Sequence, residues 1–300
     1  MFGFRHTKNE SAPKGYLPKK VTEMTSPLWI SEQEPDAPNI SLSGWIRVLI
    51  RGVLLGTCIF FGLSLLLIFR IFERPIFGTG RPLTPKITQS VSKVAFLILG
   101  MRLEIVGTPM RGPGAAVANH TSWLDIFALN AFDDIFFVAK SEVAKWPVIG
   151  WLARATGTLF IDRDRTQAAK QTKIFQDRLR NGHRLLFFPE GTSSDGMRVL
   201  PFKSTLFQSF FIPELRDKIS IQAITLVFFA PEGMDPRFYG WWGDSNLVQH
   251  LVKALALSKQ GKVQVIYHTP VPVFKFLDRK SMAQHMQAQV ASALPNSIRT

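Results

Sequence analysis

Cysteine is almost absent from this chain. Its single Cys58, among 300 residues, excludes an internal disulfide and a cysteine-ligated metal site. The histidines outside the motif discussed below, His6, His183, His250, His268 and His285, have no metal-ligand spacing. No phosphate-binding glycine loop and no dinucleotide fingerprint occurs. There is no internal repeat, no low-complexity tract and no cleavable secretory signal at the start. Charge is also scarce, at 19% against 46% hydrophobic residues, and acidic charge is scarcest. Lys and Arg number 36 against 22 Asp and Glu, a formal net charge of +14. Nucleic-acid binders reach such a charge with polar surfaces and basic clusters. Here the basic residues are interleaved with Phe, Leu, Ile and Trp. That mixture suits an anionic membrane surface as partner and disfavours nucleic acid.

Three regions follow from composition. Residues 1–44 are rich in Pro, Ser, Lys and Glu, lack apolar periodicity and read as a flexible N-terminal segment. Residues 45–102 read as membrane-associated, either a helical hairpin or interfacial helices. Their core is "GVLLGTCIFFGLSLLLIF", Gly52 to Phe69, which carries no charge and is flanked by Arg47, Arg51 and Arg70. As a helix it runs about 27 Å, just enough for a hydrocarbon core. Basic residues on both flanks leave the positive-inside rule without a direction. The next stretch, Ile87 to Gly107, carries Lys93 and reads as interfacial or as the return arm of a hairpin.

Residues 103–300 read as an α/β domain with a central, mostly parallel or mixed sheet flanked by helices. Short apolar runs ("AAVAN", "IFFVAK", "TLFID", "RLLFFPE", "IQAITLVFF", "KVQVIYHTPV") give the strands. Longer amphipathic runs ("SWLDIFALNAF", "SEVAKWPVIGWLARAT", "TQAAKQTKIFQDRLRNG", "NLVQHLVKALALSKQG", "KSMAQHMQAQVASAL") give the helices.

The chemistry concentrates in "VANHTSWLDIFAL", Val117 to Leu129. His120 and Asp125 would sit about 140° apart on a continuous helix, so only a strand end turning into a helix brings them together. Two readings fit. Ser122 and Asp125 form a Ser-x-x-Asp pattern close to a helix cap, with an acid favoured at a helix start. Alternatively, His120 and Asp125 are a catalytic pair. Capping leaves the polar Asn119–His120 end of an apolar strand unexplained. "GTLFIDRDR" ends a strand with Arg163, an anchor for phosphate or carboxylate or a surface arginine paired with Asp162 or Asp164. "LLFFPEGTSSDG" runs a strand into a loop that offers N–H groups, hydroxyls and one carboxylate to an oxygen-rich ligand, or is a plain turn.

Together, in this order and spacing, these blocks resemble the glycerolipid acyltransferase family, which includes the 1-acylglycerol-3-phosphate acyltransferases. Asn-His-x4-Asp is matched by Asn119, His120 and Asp125. Gly-x-x-Phe-x-x-Arg is matched by Gly157, Phe160 and Arg163, and Phe-Pro-Glu-Gly-Thr by Phe188 to Thr192. The resemblance spans about residues 85–275. It implies a membrane-bound lysolipid O-acyltransferase at the cytoplasmic face, with no cofactor and no metal. The co-substrate is acyl-CoA or acyl carrier protein, and the partner is a lysolipid acceptor. His120 is then the general base and Asp125 its orienting anion. Asn119, Gly157, Phe160, Arg163, Glu190, Gly191 and Thr192 fall to substrate binding, with Lys203 adding a cation. The family's usual acceptor is 1-acylglycerol-3-phosphate. Lyso-ornithine lipid is the alternative, favoured by the local character of "PEGTSSDGMRVLPFKS" and "YGWWGDSNLVQHL". Two positions depart from the family pattern: Ala223 stands where a Pro is usual, and Ser204 where many members have Gly. Trp241 and Trp242 suit membrane-interface anchors. A catalytically silent lipid-binding protein is the reading from a different class.

Overall fold

Helix α1 (Leu42–Phe77) sets the shape of the N-terminal part. It starts where the Ser41 hydroxyl accepts the Gly44 N–H at 3.2 Å, a standard N-cap. Leu55, Gly62, Leu66 and Glu73 are its buried residues after the first turn and form one stripe. Most of the rest is exposed and apolar, including Leu49, Phe61, Ile71, Phe72 and Ile76. The buried stripe receives α2 (Thr84–Leu99). Val91 fills the space above Gly62, where a Cβ would lie 2.3 Å from its methyl. Glu73 fastens the return of the chain. Its carboxylate accepts the N–H groups of Leu83 (2.7 Å) and Thr84 (3.2 Å) and the Thr84 hydroxyl (2.8 Å). An anion thus caps the N-terminus of α2. The computed structural model describes Trp29 and residues 39–162 and 168–295.

The remainder is one eight-stranded sheet with helices packed against it. The strands are β1 (Arg102–Val106), β2 (Gly114–Ala118), β3 (Ile135–Lys140), β4 (Leu159–Ile161), β5 (Arg184–Phe187), β6 (Ser220–Phe229), β7 (Lys262–Tyr267) and β8 (Val271–Pro272). Their order is β1-β7-β6-β2-β5-β3-β4, with β8 paired to β6. Strands β4, β3, β5, β2 and β6 are mutually parallel, while β7 and β8 run antiparallel to β6. The mixed sheet and flanking helices agree with the alternation of the sequence. Strands β2 and β6 are buried almost throughout, as expected where both faces are covered. The helices are α3 (Leu124–Asn130), α4 (Ile149–Thr156), α5 (Ala168–Arg180), α6 (Pro213–Arg216), α7 (Leu247–Ala256) and α8 (Arg279–Ser292).

Three local expectations change. The end of the supposed interfacial segment Ile87–Gly107 is strand β1, because Gly100 at φ +74 stops α2 and lets the chain join the sheet. The run 141–156 is two pieces, a 3-10 turn over Ser141–Lys145 and then α4. Pro147 and Val148, at φ +62, separate them; a proline interrupts a helix by removing an N–H and crowding the preceding turn. The run "KVQVIYHTPV" divides into β7 and β8.

Both ends of the helical pair are tied to the α/β domain. Arg47 donates to the Ala256 carbonyl at 2.7 Å, and Arg51 to the carbonyls of Leu255 (3.0 Å) and Leu257 (2.5 Å), closing the C-terminus of α7. Such cations suit a helix C-terminus. At the far end, Arg81, in the α1–α2 turn, donates to the Ala155 carbonyl at 2.5 Å. The 36 residues of α1, about 54 Å long, are therefore held against the domain near both ends.

Candidate active site

Register brings the motif residues to one edge. In the parallel strands Val117 pairs with Phe187, Phe137 with Leu186, and Lys140 with Ile161. The residues just past β2, β5 and β4, together with the last residue of β3, therefore share the carboxyl edge of the sheet. Open α/β sheets bind ligands at that edge.

His120 leaves β2 in the turn before α3. Its Nδ1 lies 2.6 Å from Asp125 Oδ2, and Asp125 is fully buried in the first turn of α3. The same oxygen accepts the N–H groups of Thr121 (2.7 Å) and Ser122 (3.0 Å). Asp125 thus closes the turn and holds the imidazole with one atom, so the capping and pairing readings describe a single arrangement. The ring also stacks on Phe188, centroids 4.1 Å apart and planes at 12°. Two contacts thus fix its rotation. The His120 side chain is 18% exposed, and Nε2 has no hydrogen-bond partner among the described residues. This nitrogen is left open to a ligand.

The backbone around His120 is clamped from the opposite loop. Glu190 Oε1 accepts the His120 N–H at 2.8 Å and Oε2 accepts the Leu200 N–H at 2.9 Å. Glu190 is 2% exposed, and burial pushes its carboxyl up to about 8 against the two N–H bonds that favour the charged form. The His120 carbonyl accepts the Ser194 N–H at 2.9 Å, and the Thr121 carbonyl accepts the Trp241 N–H at 2.9 Å. The Ser193 hydroxyl donates to the Trp241 carbonyl. Trp241 and Trp242 are 5% and 2% exposed, so they stand behind the His120 loop and cannot anchor in a lipid interface. His250, under this loop, accepts from Trp123 Nε1 at 2.9 Å, and burial lowers its pKa to about 3.

Beside the imidazole the loop 188–192 turns at Gly191, whose φ is +69. A side chain there would be strained, and its Cβ would fall 2.5 Å from Lys203 Nζ. Lys140, the last residue of β3, donates to the Gly191 carbonyl at 2.6 Å. Two ammonium groups therefore meet at Gly191. Lys140 was not singled out from the sequence; the available signal was a cation closing the apolar strand "IFFVAK". Phe188 lay inside a recognised block without a role, and its ring is what the imidazole rests on.

The other motif residues are placed differently. The Asn119 side chain donates to the Leu226 carbonyl (2.9 Å) and accepts the Leu226 N–H (2.8 Å), extending the β2–β6 ladder. Phe160 is half-buried in β4 opposite Ala139. Thr192 lies in the loop after Gly191, its hydroxyl 3.3 Å from the Ser193 carbonyl. Gly157 ends α4 at φ +89, before β4 begins. It therefore lies toward the amino edge and packs against Arg81 and Phe136. Arg163 falls outside the described residues. Ala223 is fully buried in β6 opposite Val117, short of the carboxyl edge. Among the described residues no cluster of His, Cys, Asp and Glu could hold a metal.

Comparison with known proteins points the same way. A family model described as Acyltransferase matches residues 102–227. The chain is 48% identical to a lyso-ornithine lipid O-acyltransferase of Rhodobacter capsulatus over 90% of its own length and 98% of that protein's. It is 38% identical to a 1-acyl-sn-glycerol-3-phosphate acyltransferase of Neisseria gonorrhoeae, over 40% of its length and 48% of that protein's. The crystal structure of the 1-acyl-sn-glycerophosphate acyltransferase PlsC from Thermotoga maritima shares the fold. It superposes with a TM-score of 0.59 at 20% identity, over 84% of this chain and 94% of that one.

Proposed function

The chain belongs to the lysolipid acyltransferase family and is an O-acyltransferase, and from that premise we propose that it acylates the free hydroxyl of a lyso-ornithine lipid. The carrying observation is the 48% identity to a protein of that named activity over nearly the whole length of both chains. Relatives named for 1-acylglycerol-3-phosphate match over shorter stretches. This reverses the order of acceptors that the family's usual substrate favours. The ornithine head carries a carboxylate, for which Lys140 and Lys203 at Gly191 supply cations.

The chemistry follows from the freed nitrogen. The acceptor hydroxyl gives its proton to His120 Nε2 as its oxygen bonds to the thioester carbonyl carbon of acyl-CoA or acyl carrier protein. The carbon–sulfur bond then breaks, and the leaving thiolate takes that proton from His120. Asp125 holds Nδ1–H throughout, fixing the tautomer and stabilising the transient imidazolium. The acceptor supplies the nucleophile, so the protein needs none. With purified protein, lyso-ornithine lipid and each thioester donor, mass spectrometry is expected to show a di-acylated ornithine lipid. Its absence with both donors would overturn the reading.

The same reading places the enzyme on the cytoplasmic face of a membrane. α1 is long and apolar enough to cross one. Its attachment to the domain near both ends favours a helix lying in the interface over a crossing, because a crossing would draw the charged domain into hydrocarbon. Flotation with phosphatidylcholine vesicles is expected; protein left wholly at the bottom of the gradient contradicts it.

A further inference from the structure

A second cationic site lies at the opposite, amino edge of the sheet. There a cleft of about 500 Å³ is lined by Arg81, Arg111, Asp134, Phe136, His183 and Arg184. Arg178 stands over the Phe136 ring at 4.7 Å and donates to the Gly157 carbonyl at 3.0 Å. A Cβ on Gly157 would meet the Arg81 guanidinium carbon at 3.0 Å, so the two guanidiniums converge on this glycine. The His183 ring packs on the same Phe136, centroids 4.6 Å apart.

Carboxylates answer only some of these cations. Arg70 is paired with Glu73, Arg184 with Asp133 and Lys86 with Asp134. Arg81, Arg111 and Arg178 form no ion pair among the described residues, although Glu73 is near enough to Arg81 to favour its charge. Arg178 Nε and both His183 nitrogens are buried without a hydrogen-bond partner. Burial, with Arg70 and Arg178 adding repulsion, brings Arg81 down to about 10. Burial with the neighbouring arginines takes His183 to about 4. Half-buried guanidiniums that outnumber the carboxylates beside them are costly.

We propose that this cleft holds the phosphate head group of an anionic membrane lipid, at a site separate from the catalytic edge. Guanidinium forks match phosphate oxygens, and the anion would supply the missing negative charge. The lipid source follows from the neighbours. Phe72, Ile76, Phe77 and Leu83, exposed on α1 and the α1–α2 turn that carries Arg81, give the acyl chains a place beside the head. Basic pockets at the ends of membrane helices take such heads. The lipid source rests on the membrane reading above.

The test is native mass spectrometry of the full chain in non-ionic detergent, titrated with phosphatidylglycerol or phosphatidylcholine. One phosphatidylglycerol per chain is expected, retained at least about tenfold more tightly than phosphatidylcholine. Arg81→Gln combined with Arg111→Gln removes that preference. Arg111→Gln alone, at an exposed residue with no hydrogen bond among the described residues, weakens it even where the double variant fails to fold. Lys280→Gln, an exposed cation on α8, leaves it intact. Equal retention of the two lipids, or equal loss in Lys280→Gln, overturns the site. Displacement by millimolar inorganic phosphate overturns the lipid assignment. Because this assay needs no bilayer, failure of the vesicle flotation above is a separate result.

Discussion

The two edges of the parallel strands handle charge in opposite ways. At the carboxyl edge every buried anion near the imidazole has donors. Asp125 Oδ2 takes two backbone N–H groups and the imidazole, and Glu190 takes one N–H on each oxygen. Position is fixed there, and Nε2 is the ring nitrogen of His120 left open to a ligand. At the amino edge Arg81, Arg111 and Arg178 form no ion pair among the described residues, around a histidine whose pKa burial lowers to about 4. A proton-transfer site needs a group held in one orientation. A site that takes an anion needs unanswered cations. The difference fits the proposed proton transfer at one edge and the proposed lipid phosphate at the other.

The largest effect is expected of His120→Ala, which lowers turnover by about 10²–10⁴-fold in protein of unchanged melting temperature. Near-normal turnover would remove chemistry from the carboxyl edge. Asp125→Asn comes next. The amide can keep an acceptor toward the turn but no anion toward the ring, and a loss of roughly 10²-fold is expected, as for other groups that orient a functional imidazole. An unchanged rate would leave Asp125 as a helix cap only.

Glu190→Gln is expected to cost about tenfold in kcat, because one clamped backbone N–H would face an amide donor and lose about 1–3 kcal/mol of hydrogen bonding. Its KM for acceptor should hold, since Glu190 is buried behind His120. A raised KM with unchanged kcat would instead make Glu190 an acceptor ligand, as the family resemblance implies. Gly157→Ala separates the edges from the other side. The positive φ and the Arg81 contact predict a loss of about 1–3 kcal/mol in stability, read as a lowered melting temperature with acceptor KM unchanged. Raised KM at full stability would return Gly157 to the acceptor site.

The smallest effect concerns pH. His183 titrates near its ordinary value when unfolded but at about 4 when folded. Its contribution to stability is therefore present above about pH 6.5 and is lost as pH falls toward 4. Glu190, raised in the folded protein, acts in the opposite sense, favouring stability as pH falls below 8. The informative quantity is the difference in melting temperature between the wild type and His183→Asn. That difference should shrink from pH 7 to pH 4.5, and a constant one contradicts the neutral buried imidazole.

Much of the sheet was legible because its strands are short apolar runs ended by polar residues, as in "AAVAN" and "RLLFFPE". The strand β1 was hidden because its residues continue an apolar helix without a proline, and only Gly100 marks the break. The bend at Val148 follows a proline inside an otherwise helical pattern. His120 and Asp125 were legible as a spacing, and the fold shows how a turn removes the 140° that a helix would put between them. Lys140 was not legible, since its place at Gly191 depends on the register of β3 against β5. Trp241 and Trp242 misled for a related reason: an aromatic pair looks alike in a lipid interface and in a core, and only burial separates the two.

The proposed preference of this acyltransferase is for an ornithine-headed acceptor. It is tested most directly by supplying lyso-ornithine lipid and 1-acylglycerol-3-phosphate together, at equal concentration, to purified protein with its thioester donor, and counting both products by mass spectrometry. The expected result is acylated ornithine lipid in at least about tenfold excess, the discrimination that one charged hydrogen-bonded contact supplies. Phosphatidic acid as the dominant product would contradict it.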